Sequence, residues 1–251
     1  MQMQLKIIGT GSSGNCYILE NEKEALIIEL GLNFSKVKEV LNFDLSKVVG
    51  AVVTHEHGDH SGKDGKGIID ALRNGIEVYT SAGTFNAFSI KHHNAKIIKS
   101  RQGFQIGNFK ILPFNVHHDV NEPLGFLIDH EETGRVLFVT DTTYIDYTFP
   151  NLNNIIIEAN YCEEIIKEKL GSIWQGEFLK NRILKSHMSL NTCKETLLAN
   201  DLSQVQKIVL IHLSDSNSDE RKFKKVIEEA TGKIVYVANN NQILEFNRNP
   251  F

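Results

Sequence analysis

The sequence predicts an α/β domain, a four-layer α-β-β-α sandwich occupying residues 1–251. Three observations predict it. Short apolar runs rich in Val, Ile and Leu fall into two blocks, each interleaved with segments of helical period. Several of these runs end abruptly in histidine or aspartate, so polar side chains gather at strand ends rather than along sheet faces. The length of 251 residues, with 41% hydrophobic and 23% charged content, suits one large domain with a substantial core.

Taken in chain order, strands are expected over 5–8, 17–19, 25–30 and 48–53, with a helix over 35–41 between the last two. A helix over 67–74 stops at Gly75, a residue suited to a left-handed C-terminal cap. A strand over 76–79 and a helix over 83–90 follow. The middle is strand-rich, over 109–116, 124–129, 135–140 and 155–158. Helices over 163–170, 177–185, 192–198 and 223–230 then alternate with strands over 208–212, 234–237 and 243–246. No repeat, low-complexity tract or linker divides the chain.

The three cysteines, Cys16, Cys162 and Cys193, are unclustered and read as buried free thiols. No run approaches the length that spans a membrane, and the N-terminus enters a strand pattern without a secretory segment. A cytoplasmic protein with no membrane contact is expected. The formal net charge of -4 weighs against a long nucleic-acid groove, which relies on many Lys and Arg contacts to phosphate.

The most specific chemistry lies in Thr54-His55-Glu56-His57-Gly58-Asp59-His60, directly after the apolar run 48–53. Side chains alternate in an extended segment, so His55 and His57 point the same way, and a turn at Gly58 brings Asp59 and His60 onto a neighbouring point. Imidazole and carboxylate donors suit zinc-like divalent ions, with manganese as the alternative. Downstream, residues 114–119 end a strand in the pair His117-His118, where alternation favours His118 as the donor. The run 136–141 ends in Asp141, a carboxylate costly to bury unless paired or metal-bound, and the run 208–212 ends in His212. The resulting set places His55, His57 and His118 on one ion, and Asp59, His60 and His212 on a second, with Asp141 bridging. Two ions about 3.5–4 Å apart clamp a phosphodiester for in-line displacement. Asp59 is then both a ligand and the group that orients the attacking water.

The 55–60 segment carries the His-x-His-x-Asp-His signature and resembles the metallo-β-lactamase superfamily, in particular its phosphodiesterase branch. The resemblance covers nearly the whole chain. Glu158-Ala159 after a strand is similar to the second half of the His-Glu-Ala-Thr motif of tRNase Z, and His187-Met188-Ser189 to that family's His-x-Thr/Ser motif. Isoleucine precedes Glu158 where that motif begins with histidine. The resemblance implies that Glu158 orients His187, and that His187 protonates the leaving oxygen. The loop Gly9–Cys16 could contact phosphate through Ser12, Ser13 and Asn15. With these motifs the chain resembles both the YycJ/WalJ-like nucleases and the phage anti-Pycsar phosphodiesterases. The second resemblance implies a homodimer in the host cytoplasm that opens 3′,5′-cyclic nucleotides such as cyclic CMP and cyclic UMP. The segment 170–178, with Trp174 and Phe178, is its candidate contact. The absence of a basic arm and the net charge favour this small substrate. The alternatives are a nuclease acting on DNA or RNA ends, and a metal-stabilised binding module without turnover.

Overall fold

The computed structural model describes residues 2–169 and 186–249. Its apolar runs form two seven-stranded sheets. The first has the spatial order β14 (Gln242–Glu245), β1 (Gln4–Gly9), β2 (Cys16–Glu20), β3 (Ala25–Ile28), β4 (Val48–Val52), β5 (Val78–Thr80) and β6 (Ala95–Ile97). The second runs β13 (Ile234–Val237), β12 (Lys207–Ile211), β11 (Leu152–Glu158), β10 (Gly134–Val139), β9 (Leu124–His130), β8 (Phe109–Asn115) and β7 (Phe104–Ile106).

The inner faces of both sheets meet in one cluster that includes Leu5, Tyr17, Phe126, Phe138 and Val209. The other face of the first sheet packs under helices α1 (Phe34–Val40), α3 (Lys66–Arg73) and α4 (Ala82–Ala87), which supply Phe34, Val37, Ile68 and Phe85. The other face of the second sheet is covered by α6 (Leu190–Leu198) and α7 (Glu220–Thr231), which bury Cys193 and Phe223. These are the four expected layers. Side chains cap the helix starts: Ser81 on α4, Ser189 on α6 and Asp219 on α7 each accept a first-turn amide. Asp219 accounts for α7 beginning before residue 223, and Gly232, with φ of 66°, ends it. Two further helices are short, α2 (Gly58–Ser61) and α5 (Glu163–Lys169).

Strand direction fixes where the chemistry falls. Strands β3 to β6 run parallel, as do β10 to β13, while β8 and β10 both run antiparallel to β9. Within each sheet the parallel strands therefore finish at one edge, the usual position for sites in α/β sheets.

Some expectations change. The third strand stops at Ile28 rather than residue 30, because Glu29 takes a left-handed φ of 68°. Strands β6 and β7 were not expected; each has three residues, and Ile97 is exposed, so the sequence lacks a clear alternation there. The helix over 177–185 and the dimer contact over 170–178 lie outside the described residues. All three cysteines are buried and free. Among the described residues, no helix is long and apolar enough to cross a membrane.

Candidate metal centre

Three strand ends turn sharply at non-glycine residues. Glu29 after β3, Asp141 after β10 and His212 after β12 have φ of 68°, 47° and 55°. A left-handed conformation costs such residues about 1–2 kcal/mol, and backbone strain of this kind clusters at functional sites. The turn between β4 and α3 is held from several sides. The Ser61 hydroxyl donates to the carbonyls of Glu56 and His57, each at 2.9 Å, and winds residues 58–61 into one helical turn. The carbonyls of Asp59 and His60 accept the amides of Asn15 and Leu30 at 2.7 and 2.8 Å. Gly31 permits this approach, since a Cβ there would lie 1.8 Å from the Asp59 carbonyl oxygen.

The side chains converge on Asp141. Its Oδ2 lies 3.6 Å from His55 Nε2, 3.3 Å from His60 Nε2 and 3.5 Å from His118 Nε2, while its Oδ1 lies 3.6 Å from His212 Nε2. His55, His57, His118 and Asp141 form one group whose donor atoms all lie within 4.8 Å of one another, and Asp59, His60, Asp141 and His212 form a second. A third, overlapping group joins Asp141 and His212 to Glu158 and His187. His117 enters none of them.

The donor set fits divalent cations. His55 Nε2 is enclosed and has no hydrogen-bond partner. His118 Nδ1 lies 2.8 Å from the Ser186 carbonyl, which can only accept, so a neutral ring directs its Nε2 lone pair inward. That Nε2 faces His57 Nδ1 at 3.0 Å, and a cation between two such lone pairs removes their repulsion. The cluster is thus capable of binding metal ions.

Electrostatics points the same way. Burial pushes the His55 and His118 rings below the ordinary imidazole range, which favours the neutral, ligating form. Burial opposes charge on His212 as well, but Asp141, Asp59 and Glu158 outweigh it and raise that ring to about 10. An arriving cation competes with this proton. Asp59 is held well below the carboxylate range despite burial, by hydrogen bonds from His212 at 3.1 Å and from His60.

Glu158 and His187 also meet. His187 Nδ1 donates to Glu158 Oε1 at 2.7 Å, and Glu158 Oε2 accepts the amides of Thr142 and Met188. Burial resists a charged His187, yet Glu158 raises it above the ordinary imidazole value. His187 lines a cavity of about 510 Å³ that also exposes Ser12, Asp59, His118, Asp141 and Asn217.

The phosphate-loop expectation needs correction at two residues. Asn15 is buried and turned inward: it binds Gly11, the Asp59 carbonyl and, at 3.2 Å, His60 Nε2, so it braces the ligand turn. Ser13 is exposed outside the cavity wall, and only Ser12 lines it. One residue escaped the sequence reading. Glu29 is fully buried with Oε1 3.5 Å from His60 Nδ1, opposite the cluster-facing nitrogen. A carboxylate there fixes a ligand ring's orientation. Its only sequence signal is an acid closing an apolar strand.

The family described as "Beta-lactamase superfamily domain" matches residues 33–213. Exodeoxyribonuclease WalJ of Streptococcus pneumoniae (serotype 2, strain D39) is 31% identical over 229 residues, which span 84% of this chain and 82% of the relative. Exodeoxyribonuclease YycJ of Bacillus anthracis is 27% identical over 252 residues, spanning 91% and 90%. The crystal structure of the metallo-beta-lactamase fold protein YhfI from Bacillus subtilis superposes with a TM-score of 0.74 at 16% identity, over 97% of this chain and 99% of that one. The chain therefore belongs to the beta-lactamase superfamily and is a metal-dependent hydrolase of the metallo-β-lactamase fold.

Proposed function

We propose that the protein is a dinuclear metal-dependent nuclease that degrades DNA from its ends. The observation that carries this reading is Asp141, whose Oδ2 lies among donors of both groups, His55, His118 and His60, while its Oδ1 faces His212, a position suited to a bridging ligand for phosphodiester chemistry. The exodeoxyribonuclease relatives favour DNA ends over the cyclic-nucleotide substrate expected from the sequence. The net charge of -4 that supported a small substrate is a sum over the surface, and a local field near the cavity is independent of it.

His55, His57 and His118 would hold one divalent ion and Asp59, His60 and His212 the other, with zinc or manganese matching these donors. When bound, the pair neutralises charge on the phosphoryl oxygens during in-line displacement. The protein's own groups handle the protons. Asp59, on the cavity wall and with Oδ2 held by His212, orients the attacking water and accepts its proton at Oδ1. His187, kept protonated by Glu158, delivers a proton from Nε2 to the departing sugar oxygen. Ser12 offers a hydroxyl to the phosphate.

The test is a metal-supplemented panel of single- and double-stranded DNA, a tRNA precursor, an aryl phosphodiester and 3′,5′-cyclic nucleotides. Loss of terminal nucleotides from DNA, abolished by Asp59→Ala, is the expected result. Hydrolysis of cyclic CMP without DNA degradation would return the assignment to a cyclic-nucleotide phosphodiesterase. A homodimer belongs to the same proposal, and a monomeric mass by light scattering would remove it.

A further inference from the structure

Beside the metal centre lies an aromatic pair that the chemistry above does not use. The Tyr144 and His117 rings stack with centroids 4.1 Å apart and planes 20° from parallel. Tyr144 is 48% exposed, one of two exposed aromatic side chains among the largest exposed apolar groups of the described residues. Its companion in that respect, Phe43, lies on a turn that precedes β4, away from the site. His117 covers one side of the tyrosine ring, and among the described residues no other ring packs against it.

Hydrogen bonds tie the pair to the backbone that carries the donor cluster. His117 Nε2 is held by Asp146 Oδ2 at 2.6 Å, which fixes the imidazole plane and occupies that carboxylate. The His117 amide donates to the Thr142 hydroxyl at 2.9 Å, and that hydroxyl donates to the Tyr144 carbonyl at 2.7 Å. The Thr143 amide returns to the His117 carbonyl at 3.1 Å. His118 and Asp141, both in the donor cluster, are the next residues along the chain from His117 and Thr142. A ring set on this turn is therefore tied to the donor cluster.

A second aromatic side chain sits three residues on from Tyr144. Tyr147, on the same connection between β10 and β11, lies under the Arg101 guanidinium, whose carbon is 5.5 Å from the ring centroid. Arg101 Nη2 donates to the Tyr147 hydroxyl at 3.2 Å, and no carboxylate pairs with Arg101 among the described residues. The Arg101 amide bonds the Pro113 carbonyl, four residues before His117 along the strand that leads to the site. Stacking surfaces alternating with an uncompensated cation are what a single strand of nucleic acid needs.

We propose that the Tyr144–His117 pair is a stacking platform for a nucleobase of a single-stranded DNA end, with Arg101 meeting a phosphate further along the strand. The proposal rests on the nuclease reading and deepens it: the bound form is an unpaired end, because a base inside a duplex has no free face to offer. Every base has such a face, so the contact is tolerant of sequence.

The test uses the metal-loaded protein and a single-stranded oligodeoxynucleotide with phosphorothioate terminal linkages and 2-aminopurine near the end. Stacking quenches the fluorophore. Tyr144→Ala should weaken binding by roughly tenfold and lose the quenching, while Tyr144→Trp keeps both. On an oligonucleotide with an abasic site in place of the stacked base, Tyr144→Ala and the parent should differ by less than about twofold. Parent-like binding and quenching by Tyr144→Ala, or a tenfold loss that persists on the abasic strand, would overturn the platform. The two proposals fail separately. Quenching that depends on Tyr144, with no degradation of unmodified DNA, supports the platform and removes the nuclease. DNA degradation with binding indifferent to Tyr144 does the reverse.

Discussion

At the edge where the parallel strands finish, His55 is buried with its Nε2 lacking any hydrogen-bond partner. At the opposite edge His130 is also buried, but both its ring nitrogens are engaged, Nε2 with Glu24 at 3.1 Å and Nδ1 with the Glu132 amide at 3.1 Å. Glu24 in turn accepts the amide and side chain of Asn108 at 2.9 and 2.6 Å. The hollow at this far edge is the larger, about 660 Å³ against 510 Å³. Size therefore does not distinguish the functional edge. What distinguishes it is a set of buried donors aimed at one another. The Glu24–His130 pair satisfies its own needs and reads as structure.

The strongest way to break this contrast is to mutate one carboxylate at each edge. Asp59→Ala should lower turnover of DNA by at least about a hundredfold, the low end for a positioned acid or base. Steady-state kinetics with metal content checked in parallel decides it, and near-parent rates with metals retained would remove Asp59 from the reaction. Glu24→Gln at the other edge should leave turnover within about twofold. It should instead cost about 1–3 kcal/mol of stability, read by denaturant melts, because a charged acceptor of three hydrogen bonds is lost.

His187→Ala sharpens the functional side. If His187 protonates the leaving oxygen, the loss should reach about a hundredfold on DNA and be much smaller on an activated aryl diester, whose leaving group needs little proton help. Equal losses on both would make His187 a binding or folding residue.

A smaller effect tests the far edge by pH. Burial raises the Glu24 carboxyl, but Asn108 and His130 outweigh it and hold it below its ordinary 4.5. A depressed carboxyl stabilises the fold above its unfolded value and loses that contribution as pH falls through the folded one. The stability gap between the parent and Glu24→Gln should accordingly shrink as the pH drops below 4.5. A gap that stays constant to low pH would mean that Glu24 acts through packing alone.

Much of the candidate site was legible because strand alternation and strand ends are local signals. They placed His55, His57, His118, Asp141 and His212 at strand ends before any contact was visible. The residues that were misread or missed depend on contacts distant in sequence. Asn15 and His60 are 45 residues apart, and only the fold turns Asn15 inward. Glu29 opposes His60 through a left-handed turn that a single acidic letter does not announce. The Tyr144–His117 stack likewise joins two loops whose separate sequences have no marked pattern. Strands β6 and β7 were missed for a different reason: three-residue edge strands carry too little alternation to register.

The central claim is that the converging donors at the first edge hold two metal ions. Elemental analysis of protein purified without chelator, paired with an anomalous-scattering map, measures this directly. The expected result is close to two divalent ions per chain, one beside His55, His57 and His118 and one beside Asp59, His60 and His212, with Asp141 between them. Protein that retains no metal when supplied with zinc or manganese, and a map without a peak near His55 and His118, would contradict the account.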